Sequence, residues 1–192
     1  MNIIFAGVGG QGVLTASEVL ARAAMNEGLD CKKSEVHGMA QRGGSVLSHV
    51  RFGSRVHSPV IPAGGADFLV AFEMLEGLRH AHNLKPSGTV IVNRLEVHPL
   101  TTFTGPGYPT DIQEQLASIG AKVVVLPGQD LAASAGDVRA AGSALLGALS
   151  ILLPFKAASW EDAFAGTFKP SAAELNIRAF GLGRGWVSGN LV

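Results

Sequence analysis

Four glycines stand in the seven residues Ala6–Gly12, AGVGGQG, directly after an apolar run. Gly7, Gly9 and Gly12 keep the spacing G-x-G-x-x-G, with Gly10 in addition. Glycine admits positive φ and lets a backbone approach a ligand or a neighbouring helix, and the first amides of a following helix, with its dipole, favour an anion. Gly7, Gly9, Gly10, Gln11 and Gly12 are therefore candidates for holding a phosphate. The same glycines would serve equally well for a tight turn and close helix-to-sheet packing with no ligand. A dinucleotide site would also need an acidic residue about 20 positions on to meet the ribose hydroxyls. Asp30 opens the second predicted strand and Glu35 comes late, which weakens that reading. A nucleoside triphosphatase has less support still, because no Lys-Ser or Lys-Thr follows the glycines.

A second cluster, SEVHGMAQRGGSVLSHVR (Ser34–Arg51), gathers Glu35, His37, Gln41, Arg42 and His49 around three glycines. In open α/β sheets ligands collect outside the C-terminal ends of strands, so this loop and the first glycine turn should lie side by side. Arg42 before Gly43 and Gly44 joins a guanidinium to exposed amides, a receiver for carboxylate or phosphate; it would also suit contact with another chain. Glu35 and His37 share one side of an extended chain and could simply pair with each other. His49 alternates with Leu47 and Arg51, as a partly exposed strand residue does. Met39 fits core or interface packing. His57, His80, His82 and His98 lack metal-ligand spacing with acids or Cys31, and no G-x-S-x-G turn offers a serine nucleophile.

These residues must be positioned by a regular scaffold. Asn2–Ala6 reads as a buried strand, and Val13, Ala16, Leu20, Ala23 and Ala24 recur at helical spacing up to Gly28. Leu29–Val36 supplies a second strand, so the chain opens on a βαβ unit. Ser45–Gly53 and Val56–Ile61 are extended runs separated by two residues, the pattern of an antiparallel hairpin with Pro59 at its edge. Asp67–Glu73, Thr89–Asn93 and Lys122–Pro127 are continuous apolar runs, as in strands covered on both faces. Helical stretches are predicted at Met74–Asn83, Asp111–Ile119 and Val138–Leu153, a loop at Leu100–Pro109, and one or two short helices with a tail from Trp160 onward. The fold class is α/β: a three-layer α/β/α, Rossmann-like arrangement, with a mostly parallel sheet that includes an antiparallel hairpin. One domain is expected over residues 1–192.

Composition narrows the function. The 15 basic residues equal the 15 acidic ones, so no net field gathers nucleic acid or an anionic membrane. No stretch reaches the roughly 18 apolar residues of a membrane span and no targeting segment precedes the first strand, so a soluble, cytoplasmic protein is expected. The single cysteine, Cys31, rules out an internal disulfide and cannot hold an iron-sulfur cluster, which normally takes about four thiolates. It is best read as a small buried strand residue.

Taken together, FAGVGGQGV, SEVHGMAQRGGSVLSHVRFG and SPVIP, followed by ADFLVAFE, RAAGSALLGALSILLP and ELNIRAFGLG, resemble the beta subunits of indolepyruvate ferredoxin oxidoreductases. These are similar in turn to the gamma subunits or domains that act on pyruvate, 2-oxoisovalerate or 2-oxoglutarate; HGMAQRGGSV leans to the arylpyruvate branch. The resemblance implies a multi-subunit enzyme that oxidatively decarboxylates a 2-oxoacid with coenzyme A and ferredoxin. It further implies thiamine diphosphate, Mg and iron-sulfur clusters on a larger alpha subunit and none on this chain, ferredoxin reached through the complex, and an isolated chain able to form a homodimer through the surface meant for its partner. The AGDVRA stretch is not the G-D-G and N-N magnesium motif of thiamine diphosphate enzymes. The sequence departs from the family at Gly142, where a polar residue is more usual. A self-contained NAD(P)-binding oxidoreductase is the competing reading.

Overall fold

The computed structural model describes residues 1–37, 43–98 and 107–190. Its strands are β1 (Asn2–Val8), β2 (Asp30–His37), β3 (Ser45–Gly53), β4 (Ala66–Ala71), β5 (Leu84–Asn93) and β6 (Lys122–Leu126). Its helices are α1 (Val13–Asn26), α2 (Met74–His80), α3 (Ile112–Ser118), α4 (Gly128–Ala135), α5 (Ala141–Ser150), α6 (Ala157–Thr167) and α7 (Pro170–Asn190). The strands form one sheet in the order β2-β3-β1-β4-β5-β6, in which β3 runs antiparallel to both neighbours and β1, β4, β5 and β6 are parallel.

Both faces of this sheet are covered, which explains the unbroken apolar runs. Along β1, Ile3 and Phe5 enter one core with α1, α5 and α6, while Ile4 and Ala6 enter the other with α2 and α3. All four are fully buried. The result is the three-layer mixed α/β fold that the run pattern predicts.

The opening βαβ unit is present, with β3 inserted antiparallel between the parallel β1 and β2. One local expectation needs correction. The antiparallel partner of Ser45–Gly53 is not Val56–Ile61, which forms no strand; it is β2, with Asp30 opposite Gly53 and His37 opposite Val46. Side chains replace a ladder for the Val56–Ile61 backbone. Asp30 accepts the Val56 N–H at 2.7 Å, Arg51 donates to the Ser58 and Val60 carbonyls at 2.9 and 3.0 Å, and His49 Nδ1 accepts the Ile61 N–H at 3.1 Å. With Pro59 in the segment, a strand partner is unnecessary.

The C-terminal half is more helical than its sequence suggests. Val138–Ala140 is a 3-10 turn leading into α5, α4 precedes it, and α7 runs for 21 residues where short helices and a tail were expected. Leu100–Pro109 lies largely outside the described residues. Among the described residues, no helix is long and apolar enough to cross a membrane.

Cys31 is half-buried in β2, and burial, with the Asp30 and Glu18 charges, pushes its thiol up to about 11. At pH 8 it should carry about 100-fold less thiolate than a free cysteine. Alkylation by iodoacetamide, followed by mass spectrometry, is expected to be slower by about that factor in the native protein and to recover in denaturant.

Candidate functional site

The helix after β1 leads toward β2, while α2 and α3 lead from β4 to β5 and from β5 to β6 on the opposite face. The chain therefore changes direction between β1 and β4, and the crevice outside the C-terminal ends of these strands is where open α/β sheets place ligands.

The glycine turn borders this crevice. Gly10 and Gly12 have φ of 102° and 86°, with open space around the position a Cβ would take. Gly7 needs glycine for a different reason: a Cβ there would lie 2.7 Å from Val13 Cγ2 and 2.8 Å from both Gln11 Oε1 and Phe72 Cβ. Gln11 closes the turn on itself, since its N–H donates to the Val8 carbonyl at 3.1 Å and its Oε1 accepts the Val8 N–H at 2.8 Å. Helix α1 then starts with no side-chain cap on its first amides.

Because β3 is antiparallel to β1, its start meets the end of β1, with Val8 opposite Ser45. The Gly9 N–H donates to the Gly44 carbonyl at 2.8 Å and the Gly43 N–H to the Gly9 carbonyl at 3.4 Å, so the two glycine turns are joined. Gln41 and Arg42 lie outside the described residues, as does the His37 side chain. Glu35 is not brought to the turn: it pairs with Lys33 at 2.9 Å on β2, two strands from β1. His49 is opposite Ile4, halfway down the sheet, where it secures the Ile61 backbone. Burial and the neighbouring His80 charge hold it below the ordinary histidine value.

The interposed β3 also displaces the ribose-binding acid that a dinucleotide site requires. The end of β2 is about 10 Å from β1, twice the usual strand spacing, so neither Asp30 nor Glu35 takes that position.

Several crevice residues were not evident from motifs. A cavity of about 320 Å³ is lined by Gly10, Gln11, Phe72, Asn93, Gln129 and Arg139. Asn93 ends β5, and a polar residue closing an apolar run at a strand's C-terminal end is the signal that would have found it. A second cavity, of about 450 Å³, lies on the α1 side over Ser143 and Asn176, whose side chains meet at 2.6 Å. Gly142 has a packing role. A Cβ there would stand 2.8 Å from the Phe72 ring, which fills the space a larger residue would take. Asp137 of AGDVRA caps the turn that follows and holds Arg139 at 2.9 and 2.5 Å, so it is not free for a magnesium ion. Among the described residues, no group of three or more His, Cys, Asp or Glu could hold a metal ion.

Behind the joined turns, two buried carboxylates fix the local backbone. Glu73 caps α2 through the Glu76 N–H at 2.8 Å and also accepts from the Val97 N–H and the Tyr108 hydroxyl. Glu76 receives Ser45 Oγ at 2.5 Å and Arg79 at 2.6 Å, with His80 at 3.6 Å. Burial pushes the Glu76 carboxyl up, but hydrogen bonds from His80, Ser45 and Arg79 outweigh it and hold the group below its ordinary value of 4.5. A depressed carboxyl contributes stability above the unfolded value and loses it as pH falls through the folded one. Glu76→Gln is therefore expected to destabilise the protein by about 2 kcal/mol at pH 7. It should also flatten the loss of stability as pH falls below the ordinary carboxyl value of 4.5, and urea titrations at pH 7 and through the acid range check both effects.

Comparison with known proteins places this geometry. Residues 2–186 match the family model described as pyruvate ferredoxin/flavodoxin oxidoreductase. The chain is 39% identical over 188 residues to the indolepyruvate oxidoreductase subunit IorB of Archaeoglobus fulgidus, covering 95% of this chain and 93% of that one. It is 31% identical to the ketoisovalerate oxidoreductase subunit VorA of Methanothermobacter marburgensis, covering all of this chain but 37% of that subunit. The crystal structure of the gamma subunit of a keto/oxoacid ferredoxin oxidoreductase from Geobacter sulfurreducens superimposes with a TM-score of 0.73 at 23% identity over 98% of both chains, which supports the fold. The chain thus belongs to the pyruvate ferredoxin/flavodoxin oxidoreductase family, among its small subunits.

Proposed function

We propose that this chain is the beta subunit of an indolepyruvate ferredoxin oxidoreductase, which converts an arylpyruvate and coenzyme A to the aryl-acetyl-coenzyme A and carbon dioxide while reducing ferredoxin. The observation that carries this reading is the 39% identity to a subunit of that name across nearly the full length of both chains. The ketoisovalerate relative is more distant, at 31%. Thiamine diphosphate, magnesium and the iron-sulfur clusters are assigned to the larger partner subunit, since one cysteine and an engaged Asp137 do not fit them here. That subunit supplies the decarboxylation and electron-transfer chemistry.

The role left to this chain is binding and enclosure. The Gly9–Gly12 turn, with Gly7 beneath it and Gln11 in it, offers the uncapped amides of α1 to an anion, the phosphate of coenzyme A being the natural occupant. Gly43 and Gly44 brace the turn, and Arg42 adds a guanidinium from the same loop. Contact with the partner is the role proposed for His37 and Gln41, while Glu35 and His49 support the strands beside it.

The test is co-expression with the large thiamine-type subunit. Coenzyme A-dependent reduction of ferredoxin by indolepyruvate is expected from the complex and not from the pure chain. Gly12→Asp has room for its side chain but must hold the positive φ of 86°, and it sets a carboxylate at the head of α1; it should raise KM for coenzyme A about tenfold, and Gly12→Asn, equally strained but uncharged, by less. Turnover by the isolated 192-residue chain, or a preference for pyruvate, 2-oxoisovalerate or 2-oxoglutarate over indolepyruvate, would overturn the assignment.

A further inference from the structure

The polar side chains of the crevice have a fixed direction. A backbone N–H can only donate, so the carboxamide atom that faces it must be the oxygen. The Val8 N–H meets Gln11 at 2.8 Å, which turns the Gln11 oxygen into the turn and leaves the NH2 of this cavity-lining residue uncommitted by that bond. The Gly128 N–H meets Asn93 at 3.0 Å and fixes that oxygen in the same way. The Asn93 NH2 must then donate, and it does so to the Phe72 carbonyl at 3.1 Å and to Gln129 at 2.8 Å. A donor facing Gln129 selects its oxygen. Gln129, which lines the cavity, keeps its NH2 uncommitted by this bond.

Asn93 is fully buried, with all of its bonds made inside the protein, so this orientation is built into the fold. Gly128 is part of the device, because a Cβ there would lie 2.6 Å from Asn93 Oδ1 and would push the carboxamide away. Arg139 stands at the rim, exposed and with its Nε and Nη2 held by Asp137 at 2.9 and 2.5 Å, and among the described residues no carboxylate side chain lines this cavity. In both lining carboxamides the oxygen already holds a bond inside the protein, and the NH2 is the group those bonds leave uncommitted.

We propose that this crevice is a donor-only site for an oxyanion, with Gln11 and Gln129 as its ligand-contacting carboxamides and Asn93 as the positioning residue that sets the polarity of Gln129. The proposal rests on the reading that the glycine turn faces a bound anion, and it extends that site to the ends of β5 and β6. A phosphate or a carboxylate can accept from both carboxamide NH2 groups, whereas an ammonium meets side-chain oxygens that already hold a bond. The two sources of such a group are coenzyme A and the 2-oxoacid.

Gln129→Glu in the co-expressed complex replaces the NH2 with a second acceptor of nearly the same shape, and Gln129→Met removes both. Gln129→Glu is expected to raise one KM about 10- to 100-fold, with kcat changing less than threefold; Gln129→Met should raise the same KM by a smaller factor. A rise for coenzyme A identifies a phosphate, and a rise for indolepyruvate a carboxylate. Asn93→Asp can no longer donate to the Gln129 oxygen, so Gln129 turns and the effect resembles that of Gln129→Glu. In a Gln129→Met background, Asn93→Asp should add less than twofold, a non-additivity that a merely structural role would not produce. Both KM values within twofold of the parent in Gln129→Glu would overturn the proposal. If Gly12→Asp still raises a KM in that case, only the donor-only assignment fails; if neither variant moves a KM, the glycine-turn reading fails with it.

Discussion

Gly183→Ala is expected to destabilise the protein by about 4 kcal/mol or more, a large share of the 5–15 kcal/mol typical of a domain. Helices α5 and α7 cross so closely that a Cβ at Gly183 would lie 1.9 Å from the Ala144 carbonyl oxygen, and one at Gly147 would lie 2.0 Å from that of Phe180. Both obstacles are backbone, so no side chain can swing aside. The helices would have to separate, and α7 carries Phe180, which packs at ring-centroid distances of 5.1 Å from Trp160 and 5.4 Å from Phe164. The Arg184 bond to Ser150 Oγ at 2.9 Å would stretch with them. Thermal unfolding of the purified chain should show a midpoint lower by about 10 °C or more, with Gly147→Ala behaving alike. Gly181 and Gly185 lie on the same helix with nothing within 4 Å of their added Cβ atoms. Alanine at either should stabilise by up to about 1 kcal/mol through helix propensity. If Gly183→Ala melts within 2 °C of the parent, the close crossing of α5 and α7 is not as described.

That crossing shows why the C-terminal half was harder to read than the N-terminal half. Strands β1, β4, β5 and β6 announce themselves because burial on both faces demands continuous Val, Ile and Leu. Helix α7 contains Gly181, Gly183, Gly185 and Gly189, which argue locally against a long helix. Its length is imposed from outside, by the groove of α5 that only glycines can enter. The Val56–Ile61 run failed for a comparable reason. It has the composition of a strand, but Asp30, His49 and Arg51 satisfy its backbone from across the fold, and a local pattern contains no sign of those side chains. The site divides in the same manner. The Gly7–Gly12 turn is a contiguous motif and legible as such. Asn93, Gln129 and Phe72 come from three separate strand ends and converge only when the sheet order is known.

Gly7→Ala is expected to damage function far more than its size suggests. Gly7 is the buried penultimate residue of β1, and its missing side chain is the space shared by three groups: Val13 at the head of α1, the Gln11 carboxamide oxygen and Phe72 at the end of β4, all within 2.8 Å of the position a Cβ would occupy. Phe72 cannot yield, because its own ring stands against Gly142 on α5 and its N–H is bonded to the Ala6 carbonyl at 2.8 Å. Gln11 and the start of α1 are the parts free to move. Their movement breaks the Gln11 bond to the Val8 N–H, the contact that closes the turn and orients the carboxamide. The stability lost should be about 2–3 kcal/mol, from overpacking and one buried bond. The loss of ligand affinity in the complex should be greater in proportion, with KM for coenzyme A up by about 30-fold, since the turn would no longer present its amides along one direction. Gly53→Ala, at a strand end with open space and no positive φ, is the control and should leave both quantities unchanged. Steady-state kinetics of the two complexes, with urea titrations of the two chains, separate the outcomes. A Gly7→Ala protein that loses stability but keeps its KM would mean that the turn shapes the fold and does not meet the ligand.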